Sequence, residues 1–192
     1  MPTKLSEQEK SYLLRIAREA IADAVTGKSI KRINLDELPE ALRGNGASFV
    51  TLTKNGALRG CIGTLTAYQP LALDVQEHAI AAALQDYRFD KVTPSELKDI
   101  HIEISRLTMP ERLSYDNAEE LIHRLRPMID GVILSDGYHK ATFLPQVWEQ
   151  LPNPQDFLSH LCLKMGVPSS FWRKKILEVS TYQVEDFHEE MI

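Results

Sequence analysis

The sequence predicts an α+β fold built from antiparallel sheets flanked by helices. Two β-rich runs reverse at turn signals, Asn55-Gly56 and Asp136-Gly137, and segments of helical periodicity alternate with them along the chain. Few of the connections suit the crossovers that parallel strands require. With 192 residues, 43% of them hydrophobic, the chain can bury a core without a metal or disulfide staple.

The first predicted element is a helix that follows Ser6. Ser6 and Glu9 have the spacing of a capping box, apolar residues then recur on one helical stripe, and Gly27 marks the end. Residues 28–47 are polar and are punctuated by Pro39 and two glycines. We expect mostly loop there, and this segment is a candidate boundary between two lobes.

The clearest predicted element is a hairpin within residues 48–65. Its strands flank Asn55-Gly56, a pair that tolerates positive φ in a two-residue turn. Such a turn fixes the register, so side chains that face each other share one side of the hairpin. The facing pairs predicted on this basis are Lys54 with Ala57, Leu52 with Arg59, and Val50 with Cys61.

The rest of the chain continues the mixture of helices and strands. The signals are proline or a polar cap at helix starts, alternation in strands and glycine at helix ends. In chain order they predict a small-residue helix over 70–84, a short helical start at 93–96, a strand over 100–104, a helix opened by Asp116, a second hairpin around Asp136-Gly137 with a loop longer than two residues, a helix over 153–166 ended by Gly166, and a last strand over 179–187.

Composition excludes several classes of function. Lys and Arg number 22 against 27 Asp and Glu, and a net charge of −5 argues against nucleic-acid binding. No apolar run approaches the ~20 residues that cross a bilayer. The charged amphipathic N-terminus lacks a signal core, so we expect a cytoplasmic protein. No zinc-type spacing, dinucleotide fingerprint, phosphate loop or nucleophile elbow is present, so we expect no metal and no cofactor.

Cys61 is the first candidate for chemistry, because it lies between Gly60 and Gly63, where little bulk shields it. Arg59 is two positions away, roughly 6.5 Å along a strand, and a guanidinium that reached the sulfur would favour the thiolate. Arg59 would also suit a bound carboxylate or phosphate. The alternatives are a small buried cysteine and a surface arginine. Cys162, on an apolar helical stripe, is predicted to be core packing.

Other polar residues are weaker candidates. His101 and Glu103 alternate with isoleucines on a predicted strand and could form a metal-binding or an acid/base pair, although a solvated strand face explains them and is favoured. Asp86 and Arg88 form a compact cluster with Phe89 after the small-residue helix. This cluster is either a structural ion pair or part of the same pocket as Cys61.

The hexapeptide Leu58-Arg59-Gly60-Cys61-Ile62-Gly63 resembles the hallmark of the AMMECR family, called AmmeMemoRadiSam system protein A in bacteria and archaea. The segment 89–92 departs from the proline-rich form expected there, and 140–142 is also atypical, which affects local loop shape only. The likeness extends over nearly the whole chain, through Phe49-Val50-Thr51-Leu52, Pro70-Leu71, Asp86-Tyr87-Arg88-Phe89, Ile102-Glu103-Ile104-Ser105, Phe143-Leu144-Pro145-Gln146-Val147-Trp148 and Phe157-Leu158.

The resemblance implies a single AMMECR-type domain over residues 1–192, with two lobes, an intervening cleft and the 48–65 hairpin near that cleft. It also implies association with a Memo-like protein and a radical S-adenosylmethionine protein. The chain lacks the Cys-x-x-x-Cys-x-x-Cys pattern of an iron–sulfur radical enzyme, so any radical chemistry would belong to a partner. The family resemblance supplies no reaction.

Two functional hypotheses follow. In the first, the cleft binds a small anionic or carbonyl-containing ligand, with Arg59 orienting it and Cys61 acting as nucleophile or redox group. The further ligand-binding candidates are Gly60, Gly63, Asp86, Arg88 and Glu103. In the second, the protein is a non-catalytic adaptor whose glycine-rich hairpin lets a partner backbone approach.

Overall fold

A computed structural model describes residues 4–190 and confirms the α+β class. The helices are α1 (Glu7–Val25), α2 (Glu40–Arg43), α3 (Leu71–Leu84), α4 (Ala118–Arg124), α5 (Pro154–Met165) and α6 (Phe171–Lys174), with 3-10 turns at Leu35–Glu37, Pro94–Glu96 and Pro145–Glu149. The strands are β1 (Asn45–Lys54), β2 (Ala57–Gly63), β3 (Gln69–Pro70), β4 (Ile100–Leu107), β5 (Glu111–Arg112), β6 (Gly131–Ser135), β7 (Lys140–Phe143), β8 (Glu178–Tyr182) and β9 (Val184–His188).

The chain divides into two compact units, each with its own antiparallel sheet. The first unit runs to Leu107 and resumes at Glu185, and the second spans Thr108–Val184. The boundary predicted within residues 28–47 is therefore wrong, because that segment lies inside the first unit. Within the described residues, no helix is both long enough and apolar enough to cross a membrane.

The sheet of the first unit has the strand order β2-β1-β4-β9, with the short β3 paired to the start of β1. The predicted alternation in β4 is confirmed, because its isoleucines point into the core and are almost fully buried. Helices α1 and α3 pack with this sheet face in one apolar cluster. Ser6 and Glu9 form the predicted capping box of α1, and Gly27 follows the helix with φ +71°.

Arg18 of α1 binds the segment that follows β9 to the rest of the first unit. Its guanidinium donates to the carbonyl oxygens of Leu97 and Ile100 at 2.9 and 2.7 Å. The same group forms an ion pair with Glu189, just after β9. The chain therefore returns to the first unit through β9 and is held there by a partly buried charge.

The second unit has the strand order β5-β8-β6-β7 and a core in which Trp148 stacks on Phe157 at 3.7 Å. The predicted hairpin with a loop longer than two residues is confirmed by β6 and β7. Helix α5 begins after Asn153 and ends at Gly166, which has φ +86°, as predicted. Cys162 is fully buried in this core, and burial raises the pKa of its thiol.

Two predicted boundaries in this unit need correction. Asn117, not Asp116, caps α4. The Glu120 carboxylate accepts a hydrogen bond from the Asp116 N–H. The single strand predicted over residues 179–187 is two strands in different sheets. The break falls at Gln183, whose backbone leaves the ladder to exchange hydrogen bonds with Thr108 at 2.8 Å.

Candidate functional site

The hairpin at the centre of the site contains a bulge that changes which side chains share a face. Lys54 faces Ala57, as predicted, but the register shifts at Arg59, so that Thr51 faces Cys61. The predicted pairs of Leu52 with Arg59 and Val50 with Cys61 are therefore wrong. One extra residue in a strand moves every later side chain to the other face.

This register places Cys61 on the face of the sheet opposite the apolar core, at the end of a polar row. Thr51 lies between Cys61 on β2 and Glu103 on β4. The Thr51 hydroxyl donates to the Cys61 sulfur at 3.2 Å, and all three side chains are half-buried. Within residues 4–190, the Glu103 carboxylate has neither a hydrogen-bond nor an ion-pair partner. A thiol, a hydroxyl and a carboxylate thus lie on neighbouring strands.

Asp86 and Arg88 hold the backbone of Cys61. β2 is an edge strand, and its Cys61 N–H donates to Asp86 Oδ2 at 2.8 Å. Arg88 donates to the Cys61 carbonyl oxygen at 3.2 Å and binds the Asp86 carboxylate through two nitrogens, at 2.9 and 2.7 Å. The two side chains therefore supply the acceptor and the donor that a neighbouring strand would provide.

The electrostatics of the clamp follow from these contacts. Asp86 is almost completely buried, yet its pKa is held well below the usual range. The hydrogen bonds from the Arg88 side chain are the largest cause, and the backbone N–H groups of Cys61 and Arg88 add to it, while burial acts in the opposite direction. The carboxylate therefore stays ionised at neutral pH and accepts the hydrogen bond from the Cys61 N–H at the edge of β2.

Arg59 is committed to another contact. Its Nε and Nη2 each lie 3.1 Å from an oxygen of Glu96, and Nη1 donates to the Asp90 carbonyl oxygen at 2.7 Å. Lys54 also reaches Glu96, at 2.9 Å. Every nitrogen of the Arg59 guanidinium is thus hydrogen-bonded within the protein, and the side chain anchors the hairpin to the 94–96 turn.

The two motif glycines are required by close packing inside the first unit. A Cβ at Gly60 would lie 2.2 Å from the Ala82 carbonyl oxygen of α3, and one at Gly63 would lie 2.3 Å from the Ser48 carbonyl oxygen. Glycine within a strand often indicates that another backbone comes close, and this is so at both positions. The backbone that approaches in this structure belongs to the protein itself.

His101 does not pair with Glu103. Its Nε2 lies 2.6 Å from the Glu189 carbonyl oxygen, and its ring packs against that of His188. Across the residues the structure describes, no group of three or more His, Cys, Asp or Glu side chains could hold a metal.

Sequence reasoning missed two residues of the site, Thr51 and Glu96. Thr51 entered the site only because the bulge turned Cys61 toward it. Glu96 was recognised as part of a helix start, and it does complete a capping box with Thr93. Nothing in its spacing indicated that its other contacts would come from Arg59 and Lys54, about forty residues earlier.

Comparisons with known proteins agree over almost the whole chain. The AMMECR1 family model matches residues 14–187. A protein of Methanothermobacter thermautotrophicus is 37% identical over 187 residues, 97% of each chain, and one of Methanopyrus kandleri is 36% identical over 198 residues, 99% of this chain and 93% of its own. The crystal structure of an uncharacterized protein from Pyrococcus horikoshii is similar, with a TM-score of 0.79 and 32% identity, covering 98% of this chain and 95% of the other.

The contact between α3 and β2 predicts a large effect of Gly60→Ala. The added methyl group would overlap the Ala82 carbonyl oxygen, so we expect the free energy of unfolding to fall by about 1–3 kcal/mol. Gly44→Ala is the matched control, because Gly44 has φ −64° and its Cβ would make an ordinary 3.7 Å contact. Urea unfolding followed by far-UV circular dichroism measures both. Equal stability of the two variants would contradict this packing.

The Glu96 contacts predict an acid-sensitive anchor. Hydrogen bonds from Arg59, then from the Thr93 N–H and Lys54, hold the pKa of Glu96 well below its usual range. Such a carboxylate contributes stability above its unfolded pKa of about 4.3, and that stability is lost as the pH falls toward the folded pKa. We expect Glu96→Gln to cost about 1–2 kcal/mol at pH 7 and much less at pH 3.

Denaturant unfolding at the two pH values tests this expectation. Glu40→Gln is the control, because Glu40 is exposed in the same unit and has no ion-pair partner within residues 4–190. A loss for Glu96→Gln that is equal at both pH values would show that the anchor does not depend on an ionised carboxylate.

Proposed function

The chain belongs to the AMMECR1 family, and from that premise we propose that it binds a small carbonyl-containing anion at Cys61, whose thiol is the nucleophile. The observation that carries this proposal is the row formed by Cys61, Thr51 and Glu103 on the polar face of the first sheet. The thiol is only half-buried and its backbone is held on both sides, which favours attack in one fixed direction.

The proposed step is the addition of the thiol to the carbonyl carbon of the ligand. A sulfur–carbon bond forms, the carbonyl π bond breaks, and the thiol proton passes to the former carbonyl oxygen, so no oxidant or reductant is needed. Thr51 positions the sulfur for the step, because its hydroxyl donates to it at 3.2 Å. Glu103 is two strands from Cys61, roughly 10 Å between backbones, so it does not contact the thiol and instead accepts a hydrogen bond from the hydroxyl group that the addition creates.

Arg88 is the residue that supports recognition of an anion. Its side chain is 45% exposed, and within residues 4–190 its Nη1 has no hydrogen-bond partner. Arg59 instead anchors the hairpin through Glu96, and Asp86 positions both Arg88 and Cys61. Gly60 and Gly63 contribute by allowing the packing that fixes this geometry.

The proposal predicts that glyoxylate, which combines an aldehyde with a carboxylate, protects Cys61 from iodoacetamide. Labelling is followed by mass spectrometry, with the buried Cys162 as internal control. We expect glyoxylate to slow labelling of Cys61 more than acetaldehyde does, because acetaldehyde lacks the charge. Acetate, which lacks the electrophilic carbon, should protect least.

Arg88→Gln tests the source of the anion preference. Protection by glyoxylate should fall about tenfold in this variant, to the level given by acetaldehyde, because a charge-assisted contact is lost. Its labelling rate without ligand shows whether the clamp on Cys61 has been disturbed. Labelling of Cys61 no faster than that of Cys162, or glyoxylate without effect, would contradict the proposal.

An exposed aromatic beside the hairpin favours a second candidate function, the docking of a partner protein. Tyr87 lies between the two clamping residues and is 94% exposed, and Leu58 on β2 is 45% exposed. Exposed tyrosine next to arginine is common at protein interfaces. The glycines give this candidate no separate support, because α3 and β1 already occupy the space that they leave. Memo-like and radical S-adenosylmethionine proteins are the proposed partners.

The docking candidate predicts that Tyr87→Ser weakens capture of such a partner. Tyr138→Ser is the matched control, because Tyr138 is also 94% exposed but lies in the second unit. Purified partners immobilised on a sensor surface would measure both variants. We expect about tenfold weaker binding for Tyr87→Ser only. Equal binding by both variants would remove Tyr87 from the interface.

A further inference from the structure

A groove of about 350 Å³ lies on the first unit and contains none of the residues assigned to the Cys61 site. One wall is α1, the other is the segment 31–37, and Gln76 of α3 also lines it. Its volume is at the lower end of the range for small-molecule sites, about 300–1,000 Å³.

The walls of this groove are held in place by contacts within the unit. Gln76 donates from its side-chain amide to the Lys31 carbonyl oxygen at 2.9 Å. The Lys31 ammonium group pairs with Glu19 of α1 at 3.2 Å. Ile33 packs against the apolar core of the unit, so the segment is fastened on both of its sides. The groove is therefore formed before any ligand arrives, which lowers the cost of binding.

The carboxylates that line the groove have partners within the protein, whereas two of its arginines do not pair with a carboxylate in the described residues. Glu19 is paired with Lys31, and Glu37 accepts a hydrogen bond from a neighbouring asparagine amide at 2.7 Å. Within the described part of the chain, Arg15 and Arg32 have no carboxylate partner. Three cations against two carboxylates leave the groove positive, although the whole chain carries a net charge of −5.

Apolar and aromatic surface lies beside these arginines. Ile33 contributes a partly exposed aliphatic group next to the almost fully buried Ile16 and Ala20, and the Arg15 guanidinium lies 4.5 Å from the centroid of the Tyr12 ring. A phenol with a guanidinium stacked on it offers both a flat apolar surface and a charge. A simple inorganic ion would use only half of these features.

We propose that this groove binds a small organic anion with an aromatic or apolar body. Arg15 and Arg32 hold the anionic group, and Tyr12 and Ile33 contact the body of the ligand. This site is independent of the proposal for Cys61, because none of its residues belongs to the hairpin or to its clamp.

Isothermal titration with matched probes tests the proposal. Phenyl phosphate and benzoate carry both features, phenol lacks the charge, and inorganic phosphate lacks the apolar body. We expect saturable binding of at least one of the first two, about tenfold tighter than that of phenol or inorganic phosphate. No saturable binding of either organic anion, or equal affinity for all four probes, would overturn the assignment.

Two arginine variants provide the residue-level test. Arg32→Gln removes an exposed charge from the groove and should weaken binding of the organic anion about tenfold. Arg43→Gln removes an exposed charge from α2, outside the groove, and should leave the affinity unchanged. Equal affinities in both variants would overturn the proposal. Labelling of Cys61, measured in the same samples, distinguishes failure at one site from failure at the other.

Discussion

The close contact between α3 and β2 is the constraint on which the candidate site depends. At Gly60 there is no room for even a methyl group beside the Ala82 carbonyl oxygen. Because helix and edge strand touch there, Asp86, just beyond the helix end, reaches the backbone of Cys61. The chain then folds back along the end of α3 and presents Glu96 to the turn end of the hairpin. One steric contact thus sets the position of both the clamp and the anchor.

Elements with local causes could be read from the sequence. The cap at Ser6, the left-handed Gly166 and the Asn55-Gly56 turn each depend on residues within a few positions, and all are present in the structure. The bulge at Arg59 has one local signal, because Gly60 follows it within the strand and such a glycine often marks a bulge, but this signal does not specify the register. The bulge reconciles a turn that fixes the start of β2 with an α3 contact that fixes Gly60 in the middle of the strand. The sequence spacing predicts the turn but not the contact with α3.

The candidate site was predictable as a set of residues but not as a geometry. Cys61, Asp86 and Arg88 were singled out, and the structure brings them together. The expectation that Arg59 would act on the neighbouring sulfur rested on a regular strand, and the bulge removes that basis. The contact of Thr51 with the sulfur could not be predicted for the same reason, because it exists only in the shifted register. Long-range packing, rather than local preference, decides which polar groups meet.

Polar side chains are expected on the solvated face of an antiparallel sheet, so what distinguishes the row on the first sheet is which polar groups it brings together. The opposite face of the sheet supplies the apolar core, so the stability of the unit does not require a thiol or a carboxylate on this side. The Glu103 carboxylate is half-buried and has no hydrogen-bond or ion-pair partner among residues 4–190, so no contact in the described part of the chain accounts for its position. Beside it, the Asp86–Arg88 pair satisfies the strand edge with side chains and leaves the Cys61 thiol uncovered. Natural proteins depart from the most stable arrangement most often at functional sites, so this row is the part of the first unit at which the proposed ligand is best tested.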